Sequence, residues 1–385
     1  MLDFNFYNPT QIVFGPNRLK ELDELVPKDA KVLIVYGGGS AKKYGTIGRV
    51  QEALGTREVL EFSGVEANPQ FDTLVKATEL AKRENVDFLL AVGGGSVMDG
   101  TKFIALAMHY DKELQDILMH GFEGVPATKA TTLGCVVTLP ATGSEMNMGA
   151  VVTFKDQKYP VMSPLTYPSF SFLDPELTKT LPKEQVANGV ADAFVHVIEQ
   201  YLTFPANAKV QDRMAEGILK TLIEDGPVTY NDSENEEARK NFMWSATTAL
   251  NGIIGVGVPH DWSTHMIGHE MTAMYGIAHG RTLAIILPYM LKERKEQKRE
   301  KLLQYADRVW NITEGSDDER IDLAINKTEE FFNALDIKTN LSAYDIDDQG
   351  IDKIVGNMEK MGLTALSERE DLGLDTVKKI LVSAK

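Results

Sequence analysis

Through its first half the chain alternates short, wholly apolar runs with stretches whose apolar residues recur at helical spacing. KVLIVY (31–36) predicts a buried strand that ends at Gly37-Gly38-Gly39-Ser40, followed by a helical stretch to about Ala53. REVLEF (57–62) predicts a second strand, and FDTLVKATELAKREN, after the turn at Asn68-Pro69, a helix. DFLLAV (87–92) predicts a strand ending at Gly93-Gly94-Gly95-Ser96, and VMDGTKFIALAMHY a helix beyond it. TTLGCVVTLP (131–140) adds another run of β-branched and apolar residues. Strands that are apolar throughout and alternate with helices belong in a mostly parallel sheet covered on both faces.

The pattern changes at Pro182. From PKEQVANGVADAFVHVIEQYL onward helical periodicity dominates and strand-like runs all but vanish. Pro182 suits a first helical turn, where its missing N–H costs nothing. The expectation is an α/β dinucleotide-binding domain over 1–181 and an all-α, metal-binding domain over 182–385. Ser316, with Glu319 three residues on, predicts a capped helix start.

A length of 385 residues accords with two domains rather than one small core. The formal charge of −16 argues against nucleic acid or an anionic membrane as partner, since either needs a basic face. A phosphorylated cofactor must then be held by local donors: backbone N–H groups, helix N-termini and a few lysines. The single cysteine, Cys135, excludes an intramolecular disulfide and lies in the apolar run LGCVVTL as core filler. The first residues lack the basic and apolar regions of a secretory signal, and no apolar run of about 18 residues exists to span a membrane. The expected location is the cytoplasm.

Two glycine turns follow strands. In GGGSVMD (93–99), Gly94 and Gly95 let the backbone approach a pyrophosphate, Ser96 offers a hydroxyl, and the helix N-terminus supplies partial positive charge. This is not G-x-G-x-x-G, and a plain strand-to-helix turn is an equal contender. The turn Gly37 to Ser40 contains no acid and is followed by Lys42 and Lys43, whereas a carboxylate at the adenosine ribose would select NAD over NADP. A rival reading takes Glu58 or Glu61, about 20 residues further on, as that ribose ligand. TLPATGSE (138–145) clusters Thr138, Thr142 and Ser144 after a strand, for phosphate or ribose or for ordinary turn chemistry.

The histidines speak more strongly. Asp192 and His196 stand four apart in DAFVH and so share a helix face. Four of the seven histidines, His260, His265, His269 and His279, fall between 260 and 279. One buried histidine is usually a satisfied core residue; this clustering points to a divalent transition metal. Spacing alone does not choose the ligands, because His265 and His269 also stand four apart. His109 and His120 lack such partners and are expected at the surface. A metal site beside nucleotide turns suggests a metal-dependent dehydrogenase.

GGGSVMD (93–99), TLPATGSE (138–145), FLDPELTKTLPKEQVANGVADAFVHVIE (172–199) and the His265 to His279-Gly280 block together resemble the iron-containing (group III) alcohol dehydrogenases. Within them, YGGGSAKKYG, LLAVGGGSVMDGTKFIA and LLQYADRVWNITEGSDDERID are similar to the NADPH-dependent aldehyde reductase and butanol dehydrogenase branch. The resemblance implies a dehydroquinate synthase-like fold with the active site in the cleft between the domains, and a homodimer. It implies Asp192, His196, His265 and His279 as ligands of Fe²⁺ or Zn²⁺, with His269 handling protons. It implies NADP(H) contacts from Gly94, Gly95, Ser96, Asp99, Thr138, Thr142 and Lys158, with Asn147 and Leu177 near the nicotinamide and Gly38 and Ser40 seating a 2′-phosphate. Asp99 and Asn147 join His269 as expected catalytic residues, and Gly149 borders the substrate. Ala278 departs from the family, many of whose members have proline before the last histidine. The implied activity is reversible reduction of short- and medium-chain aldehydes to primary alcohols. The alternatives are a glycerol dehydrogenase-like or other polyol dehydrogenase, a dehydroquinate synthase-like lyase, a metallohydrolase using metal-bound water, or a non-catalytic metal-binding protein.

Overall fold

The computed structural model describes all 385 residues, which form two compact units: Tyr7–Leu181, and Pro182–Lys385 together with Met1–Phe6. In the first unit β1 (Gln11–Phe14) is followed by α1 (Leu22–Leu25), β2 (Lys31–Tyr36), α2 (Ser40–Lys43), α3 (Thr46–Leu54), β3 (Glu58–Phe62) and α4 (Phe71–Arg83). Then come β4 (Phe88–Gly93), α5 (Gly95–Ala107), β5 (Thr132–Val137), β6 (Gly149–Phe154), β7 (Gln157–Met162) and β8 (Phe170–Leu173). Six strands make one sheet in the order β1-β8-β5-β4-β2-β3, and every pairing is parallel. The interior strands β2 and β4, each paired on both sides, are buried almost throughout, the burial that makes an apolar run readable as a parallel strand. Val32, Ile34, Leu90 and Val92 pack with Ile47 and Val50 of α3 in one core. Cys135 is fully buried in β5, and burial pushes its thiol up to about 12.

Three departures from the sequence reading have physical causes. The helix expected to run from the first glycine turn to Ala53 is two helices, because Gly45 adopts a left-handed φ of +81° between α2 and α3. β6 and β7 form an antiparallel hairpin that the apolar pattern does not reveal. Its two turn residues, Lys155 and Asp156, both take positive φ (49° and 59°), the geometry of a tight hairpin turn, without the Asn-Gly or Asp-Gly pair that advertises one. The short β1 and β8, four residues each, carry too little pattern to stand out.

The second unit is helical: α6 (Lys183–Tyr201), α7 (Lys209–Asn231), α8 (Glu236–Ala249), α9 (Ser263–Tyr275), α10 (His279–Glu293), α11 (Arg299–Arg308), α12 (Asp317–Ala334), α13 (Asp348–Lys360) and α14 (Leu374–Ser383). α6 is buried from Val186 to Tyr201 save for the half-buried Asn188. Pro182 is the residue before its first turn rather than within it. At α12 both halves of the capping box between Ser316 and Glu319 are present. No helix is long and apolar enough to cross a membrane.

Candidate metal centre and nucleotide turns

In the helical unit, two close backbone approaches bring three helices to one point. A Cβ on Gly280 would lie 2.1 Å from the carbonyl oxygen of Asn188, so only glycine lets the start of α10 sit against α6 one turn before Asp192. A Cβ on Gly268 would meet Thr282 Oγ1 and Leu283 Cδ2 at 2.9 Å, so glycine also lets α9 lie against α10. The result gathers Asp192 of α6, His265 of α9 and His279 at the first position of α10, with one ligand atom from each within 4.8 Å of the others. Asp192 Oδ1 lies 3.8 Å from His196 Nε2, 4.0 Å from His265 Nε2 and 3.7 Å from His279 Nε2.

That donor set fits a divalent transition metal. Bonds of about 2.1 Å to a tetrahedral ion place its ligands about 3.4 Å apart, a small inward adjustment from these separations. Asp192 Oδ1 is buried with no hydrogen-bond partner, as is His196 Nδ1. Burial lowers the His196 imidazole to about 4, so at neutral pH it is uncharged and able to ligate. His265 Nδ1 pairs with Glu199 Oε2, and Glu199 Oε1 accepts from the backbone N–H groups of Thr264 (2.6 Å) and His265 (3.4 Å). Burial and the neighbouring Asp261 carboxylate push Glu199 well above the usual carboxylate range; a nearby cation would favour its ionised form. Ionised, it accepts a hydrogen bond from Nδ1–H of His265, which leaves Nε2 as the nitrogen that could ligate a metal.

The histidines that spacing could not separate take different places. The half-buried His269 ring lies 4.8 Å from the His279 ring and 6.1 Å from that of His265, outside the ligand group. His260 stands apart with its Nε2 on the carbonyl of Gly255 at 2.7 Å. His109, expected at the surface, is half-buried and bonds Thr131 Oγ1 at 2.9 Å; His120 is half-buried too.

In the α/β unit both glycine turns close strands of the sheet. Gly38 and Ser40 are exposed after β2, and a Cβ on Gly38 would meet nothing within 4 Å. Glu61, the rival ribose ligand, is already engaged: its carboxylate takes bonds from Lys42 (2.8 Å), Tyr36 (2.7 Å) and Gln51 (2.8 Å), and Lys42 holds it below the usual range. Glu58 pairs with Lys31 at 2.6 Å. At the second turn, Gly94 caps α5 and Gly95 opens it, so the amides of Gly95 and Ser96 have no carbonyl a turn earlier to bond. Thr142 packs against Gly95 so closely that a Cβ there would sit 2.5 Å from it. The Ser96 hydroxyl, read as a phosphate donor, donates to the carbonyl of Ala67. Thr138 bonds through its backbone N–H to Gly93 O at 2.9 Å.

Asp99, expected to touch the cofactor, is engaged within the unit: Oδ1 accepts from Ser144 Oγ (2.7 Å) and Oδ2 from Val151 N (2.9 Å). Burial raises it, against the charges of Lys102 and Lys158. Lys158 faces Thr153 across the β6–β7 hairpin. Leu177 belongs to the sheet's hydrophobic core. A Cβ on Gly149 would point to Met162 Sδ at 3.1 Å, into the hairpin. Asn147 Oδ1 accepts from Gly149 N and from Lys102 Nζ, both at 3.0 Å. Sequence reasoning missed Glu199 and Lys102. Each leaves a trace, a charged residue in a buried stretch of its helix, three residues after His196 and three after Asp99 respectively.

The chain belongs to the iron-containing alcohol dehydrogenases: the family's N-terminal profile, "Iron-containing alcohol dehydrogenase", matches residues 9–175 and its C-terminal one residues 186–384. It is similar to the NADPH-dependent aldehyde reductase YqhD of Escherichia coli K12, 53% identical over 389 residues that cover all of both chains. A crystal structure of that YqhD superposes with a TM-score of 0.97 at 52% identity, covering 100% of this chain and 99% of the other. The probable NADH-dependent butanol dehydrogenase 1 of Bacillus subtilis is 42% identical over 361 residues, 92% of each chain. The fold is thus the dehydroquinate synthase-like one, a parallel-sheet domain followed by a helical domain.

Proposed function

We propose that this chain is a metal-dependent oxidoreductase that reduces short- and medium-chain aldehydes to primary alcohols with NADPH, reversibly. The observation that carries the reading is the buried Asp192 carboxylate with three imidazole Nε2 atoms within 4.0 Å of it. When bound, a divalent cation supplies Lewis acidity to a carbonyl oxygen and the nicotinamide supplies a hydride to its carbon. Asp192 offsets one cationic charge, and His196, held uncharged, adds a ligand without offsetting more. Glu199 fixes the ring of His265. Reduction leaves an oxygen that needs a proton, and we assign its delivery to a ring nitrogen of His269, which stands beside His279.

NADPH rather than NADH is supported by the exposed Gly38–Ser40 turn, which offers N–H and hydroxyl donors and no carboxylate, and by the engagement of Glu61 elsewhere. Neutral aldehydes are supported by ATGSEMNMGA, GVGVPHDW and MYGIAHG, which hold no lysine or arginine to anchor an anion. A cytoplasmic placement is part of this proposal, consistent with the lack of a helix able to cross a membrane, and the family resemblance supports a homodimer. Rates with butanal, a sugar phosphate and a 2-oxo acid, each with NADPH and with NADH, test the reading. Butanal with NADPH should lead. Charge-assisted bonds to a phosphate contribute about 1.5–3 kcal/mol, so the cofactor preference should be roughly ten- to a hundredfold. Gly38→Asp, which has room for its side chain, should shift the preference toward NADH. Equal kcat/KM for the two cofactors in the wild type would refute the NADPH reading, and a lead for either anion the neutral-aldehyde reading.

A further inference from the structure

Lys102 is a fully buried lysine on α5, with its ammonium far from solvent. Its Nζ donates to Ser144 Oγ (2.9 Å), Asn147 Oδ1 (3.0 Å) and Gly149 O (2.8 Å), one acceptor for each of its three protons. Ser144 passes the polarity on to Asp99, whose second oxygen holds Val151 N. An Asp–Lys pair three residues apart on one helix thus grips both the 144–149 turn and the start of β6. Burying such a pair is costly, and a well-packed apolar pair would serve stability as well or better. The expense asks for another role.

The chemistry of the donors supplies it. An ammonium and a backbone N–H can only donate, so the amide atom facing Lys102 Nζ and Gly149 N must be the oxygen of Asn147, and its NH₂ group points the opposite way. We propose that Lys102 is a positioning residue that locks the Asn147 amide oxygen-inward, so that Asn147 meets the nicotinamide carboxamide as a hydrogen-bond donor. This rests on the reading above that NADPH binds the α/β unit with Asn147 at its nicotinamide end. The pair Asp99 and Lys102 then serves orientation at the reacting end of the cofactor rather than contact with it. Burial lowers Lys102 to about 8, with Asp99 opposing, so the locking charge is present at neutral pH.

Calorimetric binding of NADPH and of 2′,5′-ADP, which lacks the nicotinamide, to the metal-loaded protein tests this. The double variant Asp99→Asn/Lys102→Met removes both charges of the pair together. It should bind 2′,5′-ADP as the wild type does and NADPH about three- to tenfold more weakly, the loss of one oriented hydrogen bond. Asn147→Asp keeps the bond from Lys102 but has no N–H to present, and should show the same selective loss with its thermal stability retained; it decides the matter if the double variant does not fold. Wild-type affinity for NADPH in either variant, or equal loss for both probes, overturns the proposal. A wild type that binds neither probe overturns the cofactor reading and the proposal with it.

Discussion

Asp192 and the histidines around it set the residue-scale expectations. Replacing Asp192, His196, His265 or His279 by alanine should abolish both bound metal and activity, while His269→Ala should keep metal and lose rate; metal analysis beside steady-state rates checks the division. Retained metal in His279→Ala with loss in His269→Ala would reverse the assignment. His196 carries a pH signature as well. Its folded value is about 4 against 6.5 in the unfolded chain, so the folded state binds the proton less readily. Stability from this group is intact above about 6.5 and drains as pH falls toward about 4, by at most about 3 kcal/mol. Metal-free protein should therefore melt at lower temperature at pH 5 than at pH 7, and His196→Gln should flatten that difference. Equal slopes would contradict it. At this scale the clustering was legible because several histidines crowd one short stretch and Asp192 precedes His196 by one helical turn, and the structure brings Asp192, His265 and His279 together. The partners of Asp99 and Ser96 were not, because nothing local announces that Ser144 and Val151 take the first, or that Ala67 takes the second.

Elements were legible where pattern and length agreed. The buried strands β2 and β4 and the long α6 appear where apolar runs and helical periodicity predict them. The hairpin β6–β7 escaped because its turn is built from Lys155 and Asp156, which take an unfavourable backbone without glycine. α12 offers the cleanest test of an element's local signal. Ser316→Ala removes the hydroxyl that accepts from Glu319 N and should destabilise the protein by about 1 kcal/mol, measured by denaturant unfolding. Activity under native conditions should not change, since the cap lies on none of the helices that carry Asp192, His196, His265 and His279. A loss of activity without a loss of stability would show that α12 does more than pack.

For the whole molecule, the parallel sheet followed by a helical domain was readable from the switch in periodicity at Pro182, and the family match bears out that architecture. The strand order was not readable, since pairing β1 with β8 joins residues at opposite ends of the α/β unit. The central claim is that a metal held by Asp192 and three histidines is required for NADPH to reduce an aldehyde. The most direct measurement strips the protein of metal, titrates Fe²⁺ or Zn²⁺ back, and follows NADPH consumption with butanal at each step. Activity should be absent without metal and rise to a plateau at one equivalent per chain. Butanal reduction that persists undiminished in metal-free protein, or none at full metal occupancy, would contradict the account.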